Sequence, residues 1–441
     1  MNLEEIVMDE LLSPKEIKEQ LDKTEKETVK QSIKNCMFAL EHDPLLKGAI
    51  KRNELTCQVD LTEEVPWKRR TTHLTDTDMN NLALYLESNY DIISDRVITK
   101  AVDIIANDNS FNPIIDYLEM LEWDGVPRIA NALTHFFGAD KNMYTAEVMK
   151  MHMLAAIERL YNPGCKYDIM LCLVGGQGTG KSTFFNYLAI KDEWFTDGLK
   201  HLDDKKVYEV LQGHWIVEMA EMDAVASAKS IEETKAFISK QKDNYRIPYE
   251  KRSEDRKRQC VFCGTSNDMA FLPLDRTGNR RFAPVKTHPE KAEVMIYENE
   301  KESREYIKQM WAEAMEAYRT EEFVLTFSAE MEDFVKQMQK EFMPEDTKAG
   351  MIQAYLDEYE GDYICTAILY QNVLHGIGIP QKWESKEIGD ILENSIVGWT
   401  KHGNHRFGGT LGTQRSWKRI HPKTDAEGFR KLEDTEECPF E

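Results

Sequence analysis

The sequence predicts an α/β core built on a parallel sheet, with a helical region before it and a small α+β module after it. Three observations predict this. From Asn162-Pro163-Gly164 onward, short apolar runs alternate with helical stretches, which is the pattern of βαβ units. A glycine-rich octet joins the first of those runs to the helix that follows it. Elsewhere the apolar spacing is helical, until polar turns such as GNHRFGGTLG break it near the C-terminus.

Residues 1–110 are expected as a helical N-terminal region. The first 35, rich in Lys and Glu, read as a solvated helix or partly ordered arm that carries no chemistry. Helical spacing recurs around Leu82 to Leu86 and from Val97 to Ile105, with Asp76 and Asn109 as boundary signals. Residues 111–160 form a helical lead-in: Phe111-Asn-Pro113 starts a helix, the turn Trp123-Asp-Gly-Val-Pro127 precedes another through Phe137, and a third spans Thr145 to Arg159. The core occupies 161–290, with strands at Asp168–Val174, Trp215–Ala220, Gln259–Thr265 and Phe282–Val285. Helices resume over 291–355, and 356–441 is a mixed module compatible with a winged helix.

Composition excludes several classes. The chain has 441 residues, long enough for two or three folding units, and 41% are hydrophobic, an ordinary globular composition. Its formal charge is −22, so any contact with nucleic acid must be concentrated in a local basic groove. The longest apolar run, Ile169–Val174, has six residues where a membrane span needs about 20. The opening MNLEEIVMDE is acidic where a signal peptide is basic, so the expected compartment is the cytoplasm. Of eight cysteines only Cys260 and Cys263 stand close together, and without a second pair they do not complete a zinc site. His402-x-x-His405 reads as a loop pair rather than a metal site.

The octet is Gly175-Gly176-Gln177-Gly178-Thr179-Gly180-Lys181-Ser182, with Thr183 continuing into the helix. This is the phosphate-loop pattern in its required context, a strand before it and a helix after it. Glycines let successive N–H groups turn toward phosphates and the helix adds its positive end. Lys181 faces the β/γ charge and Ser182 offers an oxygen to Mg²⁺, so ATP and Mg²⁺ are the expected cofactors. Acids follow on a neighbouring strand, in His214-Trp-Ile-Val-Glu218-Met-Ala-Glu221-Met-Asp223. Glu221 is the first choice for polarising the attacking water, and Glu218 or Asp223 is the acid on the Mg²⁺ side. Asn267, just past the third strand, could orient a water or sense a γ-phosphate. Arg280 and Arg281 could reach a neighbouring subunit's nucleotide.

Between the second and third strands lies the densest basic segment of this acidic chain. It includes Lys240, Arg246, Tyr249, Lys251 and Arg252, cations for a backbone interleaved with a ring for bases.

The ordered string FNPIIDYLEMLEWDGVPRI, YNPGCKYDIMLCLVGGQGTGKS, HWIVEMAEMD, KAFISKQKDNYRIPYEKR, CGTSND and DRTGNRRFAPV resembles the virulence-associated protein E family of phage and mobile-element proteins. The resemblance implies a phosphate-loop ATPase core akin to AAA+ and superfamily-three helicases. It makes Lys181 and Ser182 Walker A residues, Glu218 and Glu221 the Walker B region, Asn267 the first sensor and Arg280 or Arg281 the finger. Residues 246–258 become a pore hairpin gripping DNA. The expected function is ATP-dependent helicase or translocase activity on single-stranded or forked DNA during replication of a phage-like element. A finger acting in trans implies a closed ring, a hexamer first. Family members often carry or accompany a primase. No primase metal-site acids stand out in the first 110 residues, so a primase would be a separate partner. Two rivals are a regulatory DNA-binding ATPase that does not unwind, and a small-molecule P-loop phosphotransferase, against which the basic segment argues.

Overall fold

The computed structural model describes residues 12–199, 207–220, 222, 228–245, 253–272, 274 and 279–420. The chain divides into two compact units, one of residues 1–271 with 279–342, the other of 272–278 with 343–441.

The larger unit begins with α1 (Pro14–Gln20) and α2 (Ile33–His42), then β1 (Ile50–Asn53), β2 (Gln58–Leu61), α3 (Asp76–Tyr90), α4 (Asp95–Asp108) and β3 (Ser110–Phe111). Ser13 and Thr75 close capping boxes on α1 and α3, so both helix starts follow from local chemistry. This region is more than the expected bundle. Its strands form a small sheet in the order β2-β1-β3, packed with the helices on one apolar cluster. Of the segment expected as a solvated arm, residues 12–35 are described, and Ile17, Leu21 and Val29 are buried in that cluster, so this part is not a solvated arm. Buried Asp43 accepts hydrogen bonds from the hydroxyls of Tyr85 and Tyr90.

The chain continues through α5 (Pro113–Glu119), α6 (Ala132–Phe137) and α7 (Met143–Tyr161) into β4 (Met170–Val174) and α8 (Lys181–Leu188). Next come β5 (Phe195–Thr196), α9 (Val207–Leu211), β6 (Ile216–Met219), α10 (Ala228–Ile238), β7 (Lys242–Tyr245) and β8 (Glu254–Lys257). β9 (Val261–Ser266), β10 (Phe282–Lys286), α11 (Glu300–Thr320) and α12 (Ala329–Glu341) complete the unit. Five strands form one parallel sheet in the order β10-β4-β9-β6-β5. Strands covered on both faces read as continuous apolar runs, and every residue of β4 is buried, as that rule requires. The fold is therefore mixed α/β with a parallel five-stranded sheet.

Long-range contacts fix the ends of these strands. Arg159, buried on α7, donates to the carbonyls of Tyr167 and Cys260, tying together the segments that enter β4 and β9. Trp215 and Trp311 pack with ring centroids 4.4 Å apart, and their indole N–H groups reach the carbonyls of Ala156 and Leu188. Cys260 and Cys263 are both buried free thiols whose pKa values burial raises, and no group of metal-ligating side chains occurs among the described residues. Among the described residues no helix is long and apolar enough to cross a membrane.

The smaller unit runs α13 (Thr347–Glu358), β11 (Tyr363–Ile364), α14 (Thr366–Asn372), α15 (Lys382–Asn394), β12 (Trp399–Arg406) and β13 (Thr413–Arg419). Its antiparallel sheet has the order β11-β13-β12. Ala349, Ile352 and Leu356 of α13 share an apolar cluster with Ile364, Trp399 and Trp417, so the helix belongs with this sheet and the unit starts near 343. His402 and His405 lie on strand β12, not in a loop.

Candidate functional site

The strand order decides what meets at the C-terminal edge of the sheet. β4 sits between β10 and β9, and β9 sits between β4 and β6. The loop leaving β4, the end of β9 and the acid on β6 are thus neighbours, in the crevice where open α/β sheets bind ligands. The loop needs its glycines. Gly180 has φ +82°, and a Cβ there would come 2.3 Å from Ile296 Cγ2; Gly178 has φ +76° with open space around it.

Lys181, on the first turn of α8, is buried by the loop it follows. Its ammonium donates to the carbonyls of Gly175 and Gly176, both at 2.7 Å, and to Asn267 Oδ1 at 3.1 Å. Ser182 donates its hydroxyl to Glu218 Oε1 at 2.7 Å, and Thr265 donates to the same oxygen at 2.7 Å. Glu218 is fully buried, and its Oε2 has no hydrogen-bond partner among the described residues. Burial raises the pKa of this carboxyl; the hydroxyls of Thr265 and Ser182 oppose the shift, Asp197 adds to it, and Lys181 opposes it.

An orphaned carboxylate oxygen beside a serine hydroxyl suits a hard divalent cation, which prefers oxygen donors. The residues present fit Mg²⁺, which Ser182 and Glu218 would hold. Of the three acids expected here, Glu218 is brought to the loop. Glu221 and Asp223 lie outside the described residues. Gln177, Thr179 and Thr183 stand on the loop and the first turn of α8, and Thr179 donates to the Gly176 carbonyl at 3.2 Å.

Arg280 and Arg281 are at the other end of the sheet. Because β10 runs parallel to β4 with Phe282 beside Met170 and Lys286 beside Val174, both arginines precede the end of β10 far from the loop. Four strand steps of about 3.3 Å put roughly 13 Å between the two ends. Arg281 Nε donates to Asp168 Oδ2 at 3.1 Å and to Ser239 Oγ at 2.8 Å. Arg280 is 60% exposed and touches Asp168 only at 3.5 Å.

The basic segment is a hairpin at its root. β7 and β8 pair antiparallel from Lys242↔Lys257 to Tyr245↔Glu254. Arg258 clamps Asp243 with two hydrogen bonds, at 2.6 and 3.0 Å, and donates to the Phe237 carbonyl, all of it buried. Lys240 is exposed, with its ammonium 5.7 Å from the ring centres of Tyr208 and Phe237. Arg246, Tyr249, Lys251 and Arg252 lie outside the described residues.

Two participants escaped the sequence reading. Thr265 stands two residues before Asn267, a same-face spacing on a strand, and that signal was available. Asp197 follows β5, whose two residues are too few to show a period.

Three solved structures of the NrS-1 C terminal region, described as apo, are similar to this chain. One is 13% identical, covers 84% of this chain and 95% of that one, and has a TM-score of 0.43. Another, an A form, gives 13%, 84%, 96% and 0.46, and the third 15%, 69%, 78% and 0.40. No curated protein matches significantly. The model of the virulence-associated protein E-like domain matches residues 118–344, more than half of the chain and the whole of the sheet and loop described above. The protein belongs to the virulence-associated protein E-like family.

Proposed function

We propose that the protein is a Mg²⁺-dependent ATPase of the AAA+-like phosphate-loop class, acting on DNA as a ring helicase or translocase in the replication of a phage-like or mobile element. The observation that carries the reading is the convergence of Lys181, Ser182, Asn267 and Glu218 at the edge of three adjacent parallel strands. The loop amides and the N-terminus of α8 would hold the phosphates. Lys181 would exchange its carbonyl partners for the β/γ oxygens. Mg²⁺, held by Ser182 and Glu218, supplies charge neutralisation at the phosphates when bound. Glu221, three residues past Glu218, is the proposed water-polarising base, with Asn267 orienting the water.

The remoteness of Arg280 from its own loop supports action in trans, and hence a ring. Its exposure makes it the better finger, whereas Asp168 and Ser239 make Arg281 its positioning neighbour. The clamped β7–β8 root supports a strand contact by the segment that joins the two strands, where Arg246, Tyr249, Lys251 and Arg252 stand in the sequence. In the C-terminal unit the order helix, strand, helix, helix, strand, strand supports a winged-helix module.

The test is ATP hydrolysis with and without single-stranded DNA on size-resolved oligomers. Stimulation confined to the ring fraction is the expected result. Equal turnover by monomers without DNA would return the chain to the phosphotransferase class.

A further inference from the structure

The smaller unit is electrically divided. Residues 343–398 hold ten carboxylates against three lysines, whereas 399–419, the β12–β13 hairpin, hold five Lys/Arg and no carboxylate. In a chain of net charge −22 such a segregated surface points to a polyanion. Helix α15, which a helix-turn-helix reading would place in a DNA groove, lies in the acidic part: Glu384, Glu387, Asp390 and Glu393 outnumber Lys382 and Lys386.

The hairpin's geometry narrows the partner. No residue from His402 to Arg415 is buried. The ribbon therefore projects roughly 10 Å past buried Ser416, three residues at ~3.4 Å each. Its cations sit on both faces. Arg415 lies opposite Asn404 and Arg406 is two residues farther along, so these two arginines share one face. Lys418 is on the other, 5.8 Å from the centre of the Tyr363 ring, which also stacks on His405 at 4.0 Å. Arg406, Arg415 and Lys418 make no ion pair with any described residue, whereas Lys401 is held by Glu393.

A two-stranded ribbon fits the major groove of B-DNA, and one that entered edge-on would turn its two faces toward the two backbones. We propose that the β12–β13 hairpin is a duplex-DNA contact that enters the groove edge-on, with Arg406 and Arg415 toward one backbone and Lys418 toward the other, and that α15 is not the reading element. This rests on the C-terminal unit alone and does not require the nucleotide reading.

The experiment uses the full chain without nucleotide, a blunt 25-base-pair duplex and oligo-dT of equal length, with anisotropy read across a salt series. Changing Arg406, Arg415 and Lys418 to Ala is expected to weaken duplex binding about 10-fold or more and to lower the slope of log affinity against log salt by roughly 2.7, at ~0.9 for each lost phosphate contact. Oligo-dT binding and basal ATP hydrolysis are expected to stay at the parental level, so the proposal and the ATPase reading fail separately. Lys382→Ala with Lys386→Ala should change duplex affinity less than about two-fold. Arg406→Glu alone, far from the core, should weaken duplex binding even if the triple variant folds poorly. Unchanged duplex affinity and slope in either hairpin variant, or a larger loss from the α15 pair, would overturn the assignment.

Discussion

Ser182 and Glu218, 36 positions apart in the chain, meet at 2.7 Å, and the second oxygen of the carboxylate is buried with no hydrogen-bond partner among the described residues. A bare carboxylate oxygen in a buried site is costly unless a cation or proton takes it. Its raised pKa and its place beside the glycine loop are two expressions of the same unmet demand.

Glu218→Gln removes that demand. Between the ordinary carboxyl pKa of 4.5 and the raised folded value, the folded parent holds the proton more tightly than the unfolded chain, so its stability falls as pH rises through this window. The variant lacks this term. Its melting temperature relative to the parent should therefore climb as pH rises above 4.5 and level off beyond the folded pKa. Added Mg²⁺ with ATP should stabilise the parent more than the variant. A pH-independent difference would show that Glu218 is not the strained group.

Lys181→Ala should lower ATP hydrolysis by on the order of 10²–10³, the scale of losing one preorganised charge contact. The fold should persist, because the lysine's partners are loop carbonyls and Asn267. Hydrolysis at the parental rate by the purified variant would remove the phosphate-loop assignment.

Arg280→Ala should cost about 10³–10⁵ in rate while leaving ATP binding intact, as a lost finger does. Mixing this variant with Lys181→Ala should restore part of the activity, because some interfaces then pair an intact loop with an intact arginine. Arg281→Ala should also loosen the segment held by Asp168 and Ser239, seen as a lower melting temperature. No recovery in verified mixed rings would argue that Arg280 acts elsewhere.

Asp243→Ala strands the buried guanidinium of Arg258 at the hairpin root, an expected loss of about 3–5 kcal/mol measured by denaturant unfolding. Single-strand binding should weaken along with it if the hairpin carries the strand. Full DNA affinity in a destabilised variant would separate the two roles.

The backbone course of the loop was legible in the sequence because it is local: eight consecutive residues, the apolar run before them and the helix after them set it. The acidic strand and the strand leading to Asn267 were legible for the same reason, each being one short apolar run. The partners of those residues were not. Thr265 reaches Glu218 because β9 lies between β4 and β6, and strand order is a property of the whole sheet. Asp168 and Ser239, which hold Arg281, are 113 and 42 residues away from it. His402 and His405 show the limit most plainly. Three residues apart on a strand, they should point to opposite faces, yet an irregular register between His402 and Asn404 turns both toward Tyr363. Sequence determined which groups exist and which local backbone carries them, since those follow from short-range sterics and periodicity. Tertiary structure alone decided which groups meet, because pairing between distant strands is set by packing summed over the entire core.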